Sequence, residues 1–544
     1  MKHFVGTFLL ILSFTQIFAA DFTCNGVRYL TLSDSYPYTV EVLQANNSNL
    51  GTDIIIPDTV IYDNIAYAVK AIGVQAFYGN TTVERITLPI TINRLEDNSF
   101  GNCSALTVVN FPDSLRYIGE NAFINCNNLQ SPTFNNLIDT IDGGAFENCT
   151  SIQVLTLPES ILYIGKKAFK GCTSLNTVYN NMIRCEYMGN IDNGIEAVFK
   201  NCPAFVHLFF HDEMERIPDA AFSGCENLSM VVLPAHLREI GQQSFYECTS
   251  LEVVTGGDST EFIDDEAFKG CTALNTITDF YYLQYLGNDA FSSCQSLTRF
   301  YLSNLLDTIH IRSFYECSSL TEISIPNHIV CIESAAFLNC TGLEQLTLSE
   351  SLQTIDIESF LNCTSLDSIV IPRSVELIRS RAFYNCQSAQ FLSLGARVSE
   401  IESDAFSSYD SNAFQHIVLL TATPPTLSSQ YCWGGISHDV VITVPCGSMP
   451  AYAAAPFWDE FTNFTENCDA IDDNEMDDVQ IYTANGNIVV TGLESGEVEI
   501  YDLSGRIIAH EMMQNCGQNE ISIPTSGVYI VVIDRKTARK VFVL

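Results

Sequence analysis

The chain has 544 residues, 47% of them apolar and 16% charged, a balance that excludes a wholly disordered chain and supplies material for a large core. Its 64 acidic and 25 basic side chains give a formal net charge of −39, which repels phosphate backbones and anionic lipid surfaces. No Lys/Arg cluster offsets that field, so nucleic acid is not an expected partner.

Residues 1–20 carry Lys2, an apolar run from Phe4 to Leu12, and Ala19 and Ala20 ahead of Asp21, the order of a secretory signal peptide. The run is too short to span a bilayer, and no stop-transfer pattern follows it. The cleavage box departs from the preferred form, with Ile17 or Phe18 where a small residue is favoured. Cys24 lacks the preceding small residues of a lipid-modified cysteine. The mature chain is therefore expected outside the cytoplasm, without an integral membrane span. Residues 21–70 precede the repeats and are assigned as an N-terminal cap.

From Phe77 onward the phenylalanines keep a fixed interval: Phe77, Phe100, Phe123, Phe146 and Phe169, then, after one step of 30, Phe199 and every 23 residues to Phe406. Thirteen of these fifteen are followed three residues later by cysteine, as in Phe146/Cys149 and Phe169/Cys172; Asn80 and Tyr409 stand there in the end units. Atypical end units are expected of a solenoid, whose terminal coils face solvent or a cap. In the unit "CTGLEQLTLSESLQTIDIESF", Leu343, Leu346 and Leu348 have the L-x-x-L-x-L spacing of a short strand, with Gln345 and Thr347 pointing outward. Pro158, Pro234 and Pro326 close such strands without removing a central ladder bond. A second apolar set, Leu352, Ile355 and Phe360, lines the opposite wall. One coil cannot bury both walls alone, whereas stacked coils can.

The pattern L-x-x-L-x-L-P-x-S-L-x-x-I-G-x-x-A-F-x-x-C resembles the BspA-type leucine-rich repeats of secreted and cell-surface proteins, over residues 71–420. The resemblance implies an α/β-type leucine-rich-repeat solenoid, rich in β-structure, with 23-residue repeats. At about 4.8 Å per stacked strand the array is on the order of 70 Å long.

Residues 421–468 follow as a proline-rich closing segment, which resembles the tail of BspA-type arrays. Its Trp433, Tyr452, Phe457 and Trp458 are suited to covering the open end of the core. Residues 469–478, with six acids in ten, read as a solvated linker. In residues 479–544 the period changes to short alternating strands between Gly, Asn and Ser turns, the pattern of a small all-β sandwich. "VEIYDLSGRII", "IPTSGVYIVVI" and a last strand from Lys540 resemble the C-terminal sorting domain of the type IX secretion system. That resemblance implies export by the type IX machinery, removal of the domain at the surface, release or attachment to lipopolysaccharide, and a Bacteroidetes-type source.

The 20 cysteines of a secreted chain invite a disulfide framework. Equivalent residues in successive coils, however, carry parallel Cβ vectors, the wrong approach for a bridge. The ladder cysteines are therefore expected as buried thiols acting as small hydrophobes. The off-ladder Cys24, Cys185, Cys331, Cys432, Cys446, Cys468 and Cys516 are less constrained, with a bridge in the closing segment left open. No C-x-x-C pair suggests zinc. His207 and His211 have a helical metal spacing, but on a strand residues four apart lie about 13 Å from each other and cannot share an ion. No catalytic or phosphate-binding motif is present, so no enzyme activity, metal or cofactor is expected.

Seven residues after the cysteine most units place Thr, Ser, Asn or Val on the outward face, as at Thr156, Thr255, Thr278, Ser324 and Thr347. Tyr179, Phe209 and Tyr301 break the rule. Tyr179 and Phe209, with His207 beside them, flank the seven-residue insertion around "MIRCEYMGNIDNG". Exposed aromatic clusters anchor interfaces, which makes these four the candidate partner-binding residues. Alternatively, the insertion folds over the rings and buries them. The expected function is non-enzymatic adhesion or protein recognition, with host extracellular-matrix proteins or other bacterial surfaces implied by the resemblance. A surface glycan- or nutrient-binding module is the alternative and requires a compact pocket of aromatic and amide groups.

Overall fold

A computed structural model describes residues 21–33, 35–43, 51–189, 196–409, 413–467 and, in the C-terminal region, 480–484, 487–491, 496–502, 506–513, 519–523, 527–533 and 537–543. The expected signal peptide (1–20), the acidic linker (469–478) and residues 190–194 of the insertion lie outside the described residues.

The chain winds into stacked coils because each unit presents two strand-forming stretches 23 residues from their equivalents. In one wall the L-x-x-L-x-L stretch pairs in parallel with the next, so that Val154, Leu155, Thr156 and Leu157 stand against Thr177, Val178, Tyr179 and Asn180. Strand Val154–Leu157 alternates exposed and buried residues, as a sheet covered on one side requires. In the opposite wall two-residue strands repeat in the same register, Tyr117–Ile118 on Thr140–Ile141 on Tyr163–Ile164. The N-terminal strands join this wall. Ile65–Ile72 pairs with Thr59–Tyr62 through a two-residue turn at Asp63 and Asn64, both at positive φ, and then runs parallel to Arg94–Leu95.

Between the walls runs the phenylalanine column. Phe146 and Phe169 stack at 5.2 Å between centroids and 3° between planes, and Phe77 to Phe406 form one continuous series of such rungs. The 30-residue step does not break it: Phe169 and Phe199 stack at 5.7 Å. Trp433 then stacks on Phe406 at 4.9 Å, and Trp458 and Tyr452 pack behind it, so the apolar column ends against indole rather than water.

The third side of each coil corrects the α/β expectation. The repeats form a β-solenoid with almost no helix; among the described residues the one α-helix is Met449–Tyr452, in the closing segment. The physical reason lies two residues after each phenylalanine. There Asn102, Asn125, Asn148, Gly171 and their equivalents adopt positive φ, which no α-helix propagates through and which Asn and Gly tolerate best. A third ladder forms instead: the Phe100, Asn102 and Phe123 amides donate to the Ala122, Ile124 and Ala145 carbonyls of the next coil. Asn side chains repeat the arrangement, Asn125 donating to Asn102 at 2.8 Å and Asn148 to Asn125 at 2.9 Å.

The described C-terminal strands are all antiparallel, in one sheet of Gln480–Ala484, Asn487–Thr491 and Asn519–Ser522 and a second of Gly496–Asp502, Ile507–Met513, Gly527–Ile533 and Thr537–Val543. Ile488, Val490 and Ile521 of the first share a core with Val498, Ile500, Val531 and Ile533 of the second. No described helix is long and apolar enough to cross a membrane.

Candidate functional site

The outward strand face is the broad surface on which the coils differ from one another. Parallel pairing places Tyr179 directly opposite Phe209, and Thr177 opposite His207. The two rings stack at 5.1 Å and 15°, yet stay 42% and 50% exposed, so the described part of the insertion leaves them open. The next coil adds Met230 and Val232, both more than half exposed, and Val154 extends the patch on the other side. Val154, Tyr179, Phe209, Met230 and Val232 thus make an apolar strip across four successive coils.

The strip contains a cleft because the ladder breaks there. Strand His207–Phe210 closes one three-stranded sheet, and Met230–Leu233 opens the next. The gap is a cavity of about 500 Å³ lined by His207, Phe209, Asp212, Met230 and Val232. His211 turns away from it, accepting from the Glu213 amide at 3.1 Å with Glu159 at 3.8 Å on its other nitrogen.

Tyr301 does not join the group. It lies four coils further along, roughly 19 Å away at the strand spacing, beside the exposed Tyr281 and Tyr282.

The cysteines sit inside the coils. Cys149 and Cys172 are fully buried, and burial drives both thiols far above their ordinary range. All the ladder cysteines are free, whereas Cys446 in the closing segment is disulfide-bonded.

One set of contacting residues had a sequence signal that went unread. In strands Phe391–Leu394 and His416–Leu419 the alternation fails and nearly every position is buried. Val370, Phe391, Val418 and Leu420 are covered by Tyr501, Ile530 and Val532 from the outer face of the second C-terminal sheet. The Tyr501 ring lies 6.1 Å from Phe391 and 6.0 Å from His416. Continuous apolar stretches such as "HIVLL" are the mark of a strand buried on both faces. On the same outer face Glu497 bonds to His510, and Glu499 accepts from Tyr501 at 2.9 Å.

The profile described as "BspA type Leucine rich repeat region" matches in six copies across residues 70–187, 195–310 and 284–413. The chain belongs to the BspA-type leucine-rich-repeat family. Solved structures similar to it include a leucine-rich repeat protein of Bacteroides ovatus, 21% identical over 82% of this chain and 100% of that one, with a TM-score of 0.45. A leucine-rich cell surface protein of Faecalibacterium prausnitzii is 22% identical over 74% of this chain and 94% of its own, at 0.37. The pneumococcal vaccine antigen PcpA is 16% identical over 84% and 99%, also at 0.37. No curated protein matches the chain. BspA-type repeats form a non-enzymatic family, and membership points to protein–protein interaction or adhesion.

Proposed function

We propose that the protein is an extracellular recognition or adhesion protein that binds a protein partner through its strand face, centred on Tyr179, His207 and Phe209. The observation that carries this reading is the exposed Tyr179–Phe209 stack continuing into Met230 and Val232. Large rings already fixed by their neighbours lose little freedom on binding and bury much apolar area, the character of an interface anchor. The cleft beside the stack favours protein over glycan here. Phe209, Met230, Val232 and Leu233 are among the described residues that line it, and no Asn or Gln is. Such apolar walls suit inserted apolar side chains better than the hydroxyls of a sugar. The charge of −39 also steers a basic partner.

In the same reading residues 1–20 direct export, 21–70 and 421–468 cap the array of 71–420, and 479–544 are a β-sandwich sorting domain of the type IX system. The setting is then the outer surface of a Bacteroidetes-type bacterium, and the partner a host matrix protein or another cell surface. Screening the full chain against matrix proteins and glycans, with Tyr179→Ser and Phe209→Ser alongside, tests the site. Each change should weaken protein binding about tenfold or more. Unchanged binding by the double variant would sink the assignment. Mass spectrometry of the secreted form tests the sorting domain, since a mature chain still ending at Leu544 contradicts its removal.

A further inference from the structure

The strand face is interrupted again, on the far side of the coil that carries Thr276–Ile277. That strand ends one sheet and Glu322–Ser324 begins the next; among the described residues the coil between meets the latter's strand through the isolated bridge Arg299–Glu322 and not through a paired strand. The inward position that holds Leu, Val or Ile in most other coils holds Phe300 here. Its ring wedges against Phe291 and Phe314 at 4.8 and 5.1 Å, which sets this coil off the ladder. A cleft of about 480 Å³ results, lined by Asp279, Arg299, Tyr301, Asn304, Glu322 and Gln345.

Two features separate this cleft from the Tyr179–Phe209 strip. Tyr281 and Tyr301 meet at 5.1 Å but at 57°, and Tyr281 is 59% exposed, so aromatic face is open to solvent. Arg299 is exposed and makes no ion pair among the described residues, whereas Arg238 and Arg312 on nearby coils are held by Glu261 and Asp289 at 2.9 and 2.8 Å. An unpartnered guanidinium beside open tyrosine rings, amides and carboxylates is a set of groups for a ring that carries one carboxylate and several hydroxyls.

We infer that this cleft binds an acidic sugar residue. Arg299 pairs with the sugar carboxylate in the forked geometry that guanidinium allows. Tyr301 and Tyr281 offer ring face to the C–H surface of the sugar. Asp279, already accepting from the Tyr281 hydroxyl at 3.2 Å, accepts sugar hydroxyls together with Glu322, while Asn304 and Gln345 both donate and accept. The flanking carboxylates decide against a polyacidic peptide, because they repel a second acid but accept from hydroxyls. The site is separate from the proposed protein-binding strip and stands or falls independently of it.

The test is calorimetric titration of the full chain with galacturonic acid, glucuronic acid and sialyllactose, each carrying a single carboxylate, with the methyl ester of galacturonic acid and hexaglutamate as contrasts. At least one acidic sugar should bind saturably. Arg299→Gln should weaken it about tenfold or more, with Arg299→Lys intermediate. Tyr301→Ser should weaken acidic and esterified sugars alike, and Tyr179→Ser should change neither. Absence of saturable binding by all three acidic sugars overturns the inference. So does tighter binding of hexaglutamate, or unchanged affinity in Arg299→Gln. Coincident thermal unfolding of wild type and the Arg299 variants keeps the result independent of folding.

Discussion

Cys149 donates its S–H to the carbonyl oxygen of Phe123, one coil earlier, at 3.2 Å. The same bond recurs from Cys126 to Phe100, Cys271 to Phe245 and Cys340 to Phe314, each at 3.1 or 3.2 Å. The pairing of Phe with Cys three residues on therefore has one packing cause: the ring fills the coil, and the thiol fills the space beside it while giving a second donor to a carbonyl that already accepts from a backbone amide. Cys149→Ala removes both the volume and the donor, and should lower stability by about 1–2 kcal/mol. The midpoint of urea unfolding measures it, and a midpoint equal to wild type would show that the sulfur is merely tolerated.

The same burial predicts thiol chemistry. It pushes Cys202 and Cys340 up to about 12, and only the thiolate reacts. In the native protein at pH 8, iodoacetamide should label Cys24 and Cys331, the two half-buried thiols among the described residues, and spare the ladder, because even Cys103 and Cys248, which hydrogen bonds from neighbouring thiols pull down, are fully buried and closed to the reagent. All should react after denaturation. Peptide mapping that finds Cys149 or Cys340 alkylated in native protein would contradict a closed column.

How much of this was legible in the sequence depends on whether a feature repeats. The Phe–Cys interval was, because every coil fills the same interior; so were Tyr179 and Phe209, because they violate the small outward residue expected at that place. The helix-free third side followed from the Asn or Gly two residues after most of the ladder Phe residues, a turn signal overshadowed by the α/β class that the resemblance implied. The cover over Phe391 was not read, since it pairs strands far apart in sequence and shows only as lost alternation. The open cation at Arg299 depends on which acids reach it in space, which spacing does not reveal.

Ala335 occupies one of the left-handed positions, at φ 57°, where its equivalents in other coils include Asn98, Asn121 and Gly144. A Cβ in that region is unfavourable by about 1 kcal/mol relative to glycine, and the methyl group of alanine brings no polar partner to offset it. Ala335→Gly should therefore stabilise the protein by up to about 1 kcal/mol, against the usual direction of such a change. A lower thermal midpoint in the variant would mean that the methyl contributes more by packing than the backbone loses.

Asp264 gives a pH dependence. Partial burial, reinforced by Glu239 and Asp219, raises its pKa from 3.8 to about 6. The folded state thus binds this proton more tightly than the unfolded chain does. The resulting stabilisation is fully present below about pH 4, declines as pH rises, and is gone above about pH 6, where the charged form is penalised. Asp264→Asn should be more stable than wild type at pH 7, by about 1 kcal/mol after allowance for solvent screening, with the difference shrinking toward pH 4. Unfolding midpoints of both proteins at pH 4, 5, 6 and 7 measure this. An advantage that stays constant across the series rules out titration of Asp264 as its cause.

The contact of the C-terminal sheet with the last coils sets how much strand face is free. Tyr501, Ile530 and Val532 shield Val370, Phe391, Val418 and Leu420, so the apolar end of the face is closed while the Tyr179–Phe209 strip remains open. Ile530 is fully buried on the covering side, and an aspartate there would place an unpaired carboxylate against Phe391 and Val418. Ile530→Asp should release the sheet from the solenoid, seen as greater binding of an apolar dye and a larger radius of gyration in solution scattering. Because that change also touches a strand of the C-terminal core, Phe391→Ser supplies the matching lesion from the solenoid side, where the phenylalanine column is untouched. Both variants should expand the molecule, and the double variant should expand it no further than the larger single effect, since either change alone opens the same contact. A compact molecule in both single variants would mean that other contacts hold the sheet in place and that the apolar cover is incidental.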